Sequence, residues 1–346
     1  MSVFRKEPLL VPVIGLAVAG FAALGGWFLQ VPSTKEQLGY RGTGMEQVTN
    51  KGTAKAAAAA NVLPEAQPAL TPEEINGPKA STVYQNVKVL GHLSEAQFNR
   101  VMVAITEWVS PEQGCAYCHG DSGNFAADDN YAKIVSRRML EMTYHINESW
   151  SNHVGETGVT CYTCHRGNPV PQNIWFEEPR NKHATRALGN DNGQNRAGVE
   201  VAAYSSLPYD PLTPFIEKDA QIRVIGTEAL PHGNRQSIKQ TEWTYSLMMH
   251  MSESLGVNCT FCHNTRSFSQ WDQSRGPRTS AYHGIRMARD LNTAFLTPLK
   301  PVYPENRLGP LGDAPKANCT TCHQGVNKPL AGQSMLKDYP ELAKSK

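Results

Sequence analysis

The sequence lacks a dominant charge. Its 346 residues hold 33 Lys and Arg against 31 Asp and Glu, a formal net charge of +2, which argues against nucleic acid as a partner. Charged residues make up only 18% of the chain, whereas Gly and Pro number 28 and 23. That balance suits a loop-rich protein whose core is not built from side chains alone. No cysteine is unpaired in spacing: the eight fall into Cys115/Cys118, Cys161/Cys164, Cys259/Cys262 and Cys319/Cys322. Each pair is followed at once by a histidine, His119, His165, His263 and His323. Disulfides are the usual use of eight cysteines in an exported chain, but they do not explain a histidine in the same place four times.

One long uncharged run stands out, Leu9 to Val31, with Arg5 and Lys6 before it and Trp27 and Phe28 near its far end. Roughly 20 apolar residues span a bilayer as a helix, and the flanking cations place the N-terminus in the cytoplasm. The expected division is therefore a cytoplasmic segment 1–8, a transmembrane anchor 9–31 and an exported remainder. A cleaved signal peptide is the alternative, although the run exceeds the usual apolar region of about 7–15 residues. No cysteine lies near the end of the run, which excludes a lipid anchor through a thiol there.

Residues 32–90 lack any sustained apolar period and hold a run of alanines after Lys55 with Pro64, Pro68, Pro72 and Pro78. They read as a tether that lies partly against the body, with a free linker as the alternative. The body, 91–340, contains an internal repeat of a helical stretch, a variable loop and Cys-x-x-Cys-His. The first stretch opens at Ser94 with Gln97 as capping-box partner, carries Phe98, Met102, Ile105 and Val109 at helical spacing and stops at Pro111. The second follows Asp128 and Asp129, with Val135, Met139, Met142 and Ile146 on one face; the third spans about 237–255 and the fourth about 279–295. A long Asn/Gly/Pro-rich connection, from Gly167 to about His232, separates the second unit from the third, so the units form two pairs. Thr106-Glu107-Trp108 recurs as Thr241-Glu242-Trp243, and Arg138-Met139 as Arg286-Met287. Residues 341–346 read as a frayed C-terminal tail.

Cys-x-x-Cys-His is the signature of c-type haem attachment. Two thiols bond the two vinyl groups of one ring, and the adjacent histidine is the proximal iron ligand. A single match would also suit half a zinc site or a thioredoxin-like pair. Four matches, each with its histidine, point to four covalently bound haem c groups. The expected fold is a mainly α, loop-rich multihaem cytochrome: two pseudo-symmetric pairs of such units around four haems, plus the N-terminal transmembrane helix. Met102, Met139 and Met248 lie on the apolar faces of the stretches preceding motifs one, two and three, where a thioether can reach iron as sixth ligand; gap-filling in the core is the ordinary use of such methionines. Repeat symmetry nominates Met287 for the fourth haem.

Residues 137–143 (Arg-Arg-Met-Leu-Glu-Met-Thr), 157–167 (Thr-Gly-Val-Thr-Cys-Tyr-Thr-Cys-His-Arg-Gly), 246–249 (Ser-Leu-Met-Met), 258–264 (Asn-Cys-Thr-Phe-Cys-His-Asn) and 319–325 (Cys-Thr-Thr-Cys-His-Gln-Gly) closely resemble the tetrahaem cytochrome c subunit of purple-bacterial photosynthetic reaction centres. The resemblance covers about residues 80–330. It implies Met102, Met139 and Met248 as sixth ligands of the first three haems and His153, in place of Met287, for the fourth, with His145 as the rival. It also implies an electron carrier rather than an enzyme. Such a subunit sits on the periplasmic face of the inner, photosynthetic membrane and re-reduces the photo-oxidised bacteriochlorophyll special pair. Its electrons come from a soluble cytochrome c or a high-potential iron–sulfur protein. The implied partners are the reaction-centre core subunits L and M, with H in the complex, light-harvesting 1 polypeptides and membrane lipid. The haems are implied to form a roughly linear wire, with the third nearest the special pair, then the fourth, second and first. Some members are anchored by a lipidated N-terminal cysteine, a pattern from which this chain departs. A membrane-anchored tetrahaem quinol dehydrogenase is the alternative reading, and a multihaem enzyme with an open iron site a third.

From Val101 to Ala132 there are five acidic residues, Glu107, Glu112, Asp121, Asp128 and Asp129, and no Lys or Arg. This stretch surrounds the first motif and reads either as solvated surface or as a docking patch for a basic soluble donor.

Overall fold

A computed structural model describes residues 31–177, 179, 207–208, 210–224 and 238–344. The expected anchor 9–31 thus lies outside the described residues except for Val31, as does most of the connection between the two pairs of units. Among the described residues no helix is long and apolar enough to cross a membrane.

The segment expected to be a tether is built against the body. Strands β1 (Ser33–Gln37) and β2 (Glu46–Asn50) pair antiparallel, with Ser33 opposite Asn50 and Gln37 opposite Glu46. The alanine run then forms α1 (Lys51–Ala60), because Ala loses least on entering a helix; the Asn50 side chain caps it by accepting from the Gly52 and Thr53 amides. Polar contacts fasten this unit to three of the four motifs. The Glu46 carbonyl accepts from Asn258 Nδ2 at 2.6 Å and Thr260 Oγ1 at 2.9 Å, the Arg166 guanidinium donates to the Ala60 carbonyl at 2.8 Å, and Asn61 Nδ2 donates to the Gln324 carbonyl at 3.2 Å. Two short helices follow, α2 (Pro72–Ile75) and α3 (Ala80–Val83).

Helix α4 (Glu95–Val109) begins with the expected capping box, in which Gln97 N donates to Ser94 Oγ and Ser94 N to Gln97 Oε1. It ends before Pro111, whose ring disfavours a helical residue ahead of it. After α5 (Ala116–His119), α6 (Tyr131–Ser149) starts from an Asn130 cap, and α7 (Ser151–Val154) and α8 (Cys161–His165) follow. The second half repeats this order with α9 (Ile238–Leu255), a 3-10 turn at Cys259–Phe261, α10 (Pro277–Asp290) continuing into a π-helical turn at Leu291–Leu296, and α11 (Cys319–His323).

The core is divided between the halves. Val101, Ala104 and Trp108 of α4 pack with Leu140 and Tyr144 of α6 and with Leu330, Met335, Tyr339 and Leu342 from the C-terminal segment. A second cluster joins Leu247 of α9 and Ile285 and Ala288 of α10 to Trp175, Leu212, Phe215 and Ile216. The tail expected from residue 341 therefore starts later. Leu342 is fully buried in the first cluster, Glu341 lies beside the buried Arg100 at 3.8 Å, and Tyr144 Oη donates to the Glu341 carbonyl at 3.0 Å. Apolar burial of Leu342 outweighs the entropy that frays a polar chain end.

Candidate haem sites

In three motifs the pentapeptide closes into one helical turn, α5, α8 and α11, and in the third it forms the 3-10 turn. A single turn brings residues three and four positions apart onto one side, so both cysteines and the histidine of a motif share a face. Motifs two and four close alike. Arg166 and Gln324 adopt left-handed backbone, and Gly167 and Gly325 follow at φ of 80° and 81°. Gly167 N then donates to the Trp108 carbonyl at 2.8 Å and Gly325 N to the Ser254 carbonyl at 2.9 Å. Thus α8 is tied to α4 and α11 to α9 by the same bond, a pseudo-two-fold relation between the halves.

The histidines share an arrangement that spacing does not show. In every motif Nδ1 meets a backbone carbonyl: His119 with Phe125 at 3.3 Å, His165 with Asn168 at 2.9 Å, His263 with Phe268 at 2.9 Å and His323 with Val326 at 3.0 Å. A carbonyl can only accept, so Nδ1 carries the proton and Nε2 keeps its lone pair. A carbonyl on the far nitrogen fixes the ring's tautomer and orientation, as it does for imidazoles that ligate a metal. Burial lowers the pKa of all four, that of His323 to about 4, which keeps the rings neutral as ligation requires.

His153 follows the same rule and His145 does not. His153 Nδ1 lies 2.9 Å from the Ser280 carbonyl, and its ring lies edge-on to that of His323, with centroids 6.0 Å apart and planes at 64°. Both nitrogens of His145 are occupied, Nε2 by Asp290 Oδ2 at 2.6 Å and Nδ1 by Ser149 Oγ at 3.4 Å. Its ring packs on Phe295, so His145 cross-links α6 to α10.

Met102 and Met139 line one cavity of about 860 Å³ with Cys115, Cys118 and His119 of motif one and Cys161, Cys164 and His165 of motif two. Its remaining walls include Val89, Phe98, Ile105, Leu140 and Ile146, an apolar lining suited to a large flat ring. Met248 packs at the edge of the second core cluster, and Met287, the choice of repeat symmetry, packs against Ile146, Leu291 and Phe295. Burial pushes the thiols of Cys161 and Cys319 up to about 12 and that of Cys118 to about 11. A reactive redox pair would instead show depressed values. Among the described residues no group of three or more His, Cys, Asp and Glu side chains is placed to hold a metal ion directly. One departure from the motif pattern is present: Cys164 and Cys322 are joined as a disulfide with Cα atoms 4.5 Å apart, because α8 and α11 pack against each other across the pseudo-two-fold.

The acidic stretch around motif one does not stand free. Asp128 meets Arg137 at 2.9 Å and Lys88 and Lys133 at 3.2 Å each, and Arg137, with Asn86, holds its carboxyl well below the usual range. Glu107 accepts from Gln67 Nε2 at 2.9 and 2.8 Å. Glu112, Asp121 and Asp129 remain exposed. The carbonyl partners of the histidines were missed by sequence reasoning; the Arg-Gly and Gln-Gly after motifs two and four were their only visible trace.

Paired thiols with an adjacent, carbonyl-oriented imidazole and an apolar cavity define a c-type cytochrome, a carrier of electrons on covalently attached haem. The profile described as photosynthetic reaction centre cytochrome C subunit matches residues 30–343. Photosynthetic reaction center cytochrome c subunits that resemble the chain include that of Rubrivivax gelatinosus, 53% identical over 96% of this chain and 89% of that one, and that of Thermochromatium tepidum, 52% identical over 91% and 76%. That of Roseobacter denitrificans is 41% identical over 97% and 92%. The chain belongs to the photosynthetic reaction centre cytochrome c subunit family. It is an electron carrier that associates with the reaction-centre core at the membrane and donates electrons to the special pair. This replaces the quinol dehydrogenase alternative.

Proposed function

We infer that the chain holds four haem c groups in a wire and that residues 9–31 anchor it as a single-pass helix with a cytoplasmic N-terminus. Haem c, when bound, supplies an iron centre that gains and loses one electron. Each motif contributes two thioethers and one imidazole: Cys115, Cys118 and His119; Cys161, Cys164 and His165; Cys259, Cys262 and His263; Cys319, Cys322 and His323. Met102, Met139 and Met248 complete the first three iron sites and His153 the fourth. A thioether favours ferrous iron and raises the potential, whereas a second imidazole lowers it. The wire thus has one low-potential station among three higher ones.

The observation that carries this reading is the shared Nδ1-to-carbonyl bond, present in the four motif histidines and His153 and replaced in His145 by two side-chain partners. Helices α8 and α11 of motifs two and four pack against each other, which supports the adjacency of the second and fourth haems in the order three, four, two, one; the family resemblance puts motif three nearest the special pair. A sulfur in a disulfide cannot also carry a thioether, and we assign Cys164 and Cys322 to haem because their motifs close and orient histidine as a ligating motif should. The core partners are L and M, with H in the complex. Light-harvesting 1 polypeptides and lipid surround the anchor, and a soluble periplasmic cytochrome c or high-potential iron–sulfur protein is the donor. A redox titration with flash spectroscopy of native membranes tests the scheme. Flash-induced oxidation of the cytochrome, four haem components and no free or disulfide-bonded cysteine in the intact mass are expected. Two or three haems would overturn the count.

A further inference from the structure

Gly284 occupies the middle of α10, where glycine costs about 1 kcal/mol relative to alanine. No left-handed backbone calls for it, since Gly284 is absent from the positive-φ glycines. Its neighbour across the helix interface gives the reason. A Cβ at this position would fall 2.5 Å from Cε1, 2.9 Å from Nδ1 and 3.1 Å from Nε2 of His153. The imidazole lies in the notch that the missing side chain leaves, and one turn back along the same helix the Ser280 carbonyl accepts from its Nδ1 at 2.9 Å. The ring cannot simply swing away. Beyond the notch Asp290, at the end of α10, accepts from Trp150 Nε1 at 2.8 Å and pairs with His145 at 2.6 Å, which clamps the entry of α7 onto the same helix. His153 is therefore held from both sides of Gly284, beside the ring of His323.

We propose that Gly284 is a positioning residue for the sixth ligand of the fourth haem: its bare Cα forms the slot that sets the His153 ring against the Ser280 carbonyl and toward His323. The inference rests on the assignment of His153 as that ligand. It also accounts for the broken symmetry between the halves. The residue equivalent to Gly284, three positions before Met139 as Gly284 is before Met287, is Ser136, whose side chain would fill such a notch.

The test uses reaction-centre complexes carrying the full-length chain with Gly284→Ala, His153→Met, His153→Gly, or His153→Gly with Gly284→Ala. Electron paramagnetic resonance of the ferric haems, redox titration and thermal denaturation are the readouts. Gly284→Ala should lose or shift the bis-imidazole signal and the midpoint potential of one haem, leave the other three unchanged and lower the denaturation temperature. In the His153→Gly background the same alanine should be neutral or stabilising, because the ring it meets is gone. That comparison decides the matter even if Gly284→Ala alone fails to accumulate. Gly284→Ala with an unaltered fourth haem and raised thermal stability would overturn the proposal, as would equal destabilisation in the His153→Gly background. A bis-imidazole signal surviving His153→Met would remove the ligand assignment and this inference together. Loss of the signal in His153→Met but not in Gly284→Ala would remove only the role of Gly284.

Discussion

Motifs one and three differ from motifs two and four in how the chain closes behind the histidine. In the outer pair the loop runs five or six residues before a phenylalanine carbonyl reaches Nδ1, and the ring of that residue covers the imidazole: Phe125 on His119 at 4.9 Å, Phe268 on His263 at 5.3 Å. Both phenylalanines are themselves exposed, at 59% and 47%. In the inner pair a left-handed residue and a glycine return the chain within three residues, and the turn is bonded to a long helix. Inner histidines sit in tightly packed, doubly anchored turns, and outer ones lie under a surface aromatic lid. In the proposed wire, motifs one and three stand at the ends, where a site exchanges electrons with another protein and benefits from the second arrangement, and motifs two and four form the internal relay that benefits from the first.

The largest effect that would break this comparison lies within the inner pair. In His153→Met the fourth haem should move to higher potential while the other three stay near their values, as read by redox titration; His145→Met should leave all four in place and reduce stability through the lost link to Asp290. The opposite result would exchange the roles of the two histidines. Next in size are the glycine turns. Gly325→Ala places a left-handed backbone and a contact 3.2 Å from Ala57 Cβ against the new methyl group, whereas at Gly167 the nearest atom is 3.8 Å away. Left-handed backbone costs an L-residue about 1–2 kcal/mol, so both variants should lower the unfolding free energy, Gly325→Ala more, in denaturant titration. Equal losses would mean that the strap from α1 adds nothing to the fourth site.

Smaller effects are expected at the outer pair. Phe125→Ala and Phe268→Ala remove the ring but keep the carbonyl, so each should cost about 0.5–1.5 kcal/mol with little change in the potential of its haem. A large potential shift would show that the aromatic lid, not the carbonyl, orients the imidazole. The smallest change concerns the donor. Charge reversal at Asp121 or Asp129 should slow re-reduction at low salt and lose its effect near physiological ionic strength, where screening reaches about 8 Å. Asp128→Asn should instead loosen the loop before α6. Its carboxyl is depressed in the folded state, so its stabilisation is fully present above the unfolded carboxylate pKa, declines as pH falls below that value and is gone once pH has passed through the folded value. Stopped-flow kinetics and pH-dependent melting separate the two outcomes. A docking effect at Asp128 equal to that at Asp121 would contradict its engagement with Arg137, Lys133 and Lys88.

Much of the fold was legible. The Ser94/Gln97 box, the stop at Pro111 and the four helical stretches follow from local rules of capping and periodicity, and the long helices fall within a few residues of their expected limits. The tail was misjudged, and the strands and helix inside the tether were not foreseen, for a common reason. Polar or alanine-rich segments carry no apolar period, and their order comes from contacts with distant residues: Glu46 with Asn258 and Thr260, Leu342 with the first core cluster. The acidic patch was overstated because a linear window counts only neighbours along the chain, while Lys88, Lys133 and Arg137 come from outside it.

The sequence alone determined the attachment chemistry, because two thiols and an imidazole bound to one ring must be close in the chain, and a pentapeptide records that directly. It also carried the family and hence the electron-donating role, through motifs spread over most of the chain. The contrast between His153 and His145, on which the proposed ligand rests, belongs to tertiary structure, since the two differ in what meets their ring nitrogens: a carbonyl of α10 in one case, the carboxylate of Asp290 in the other. Met287 packs against Ile146, Leu291 and Phe295, while the same helix turns Gly284 toward His153, and a glycine notch has no meaning until the helix packing opposite it is known.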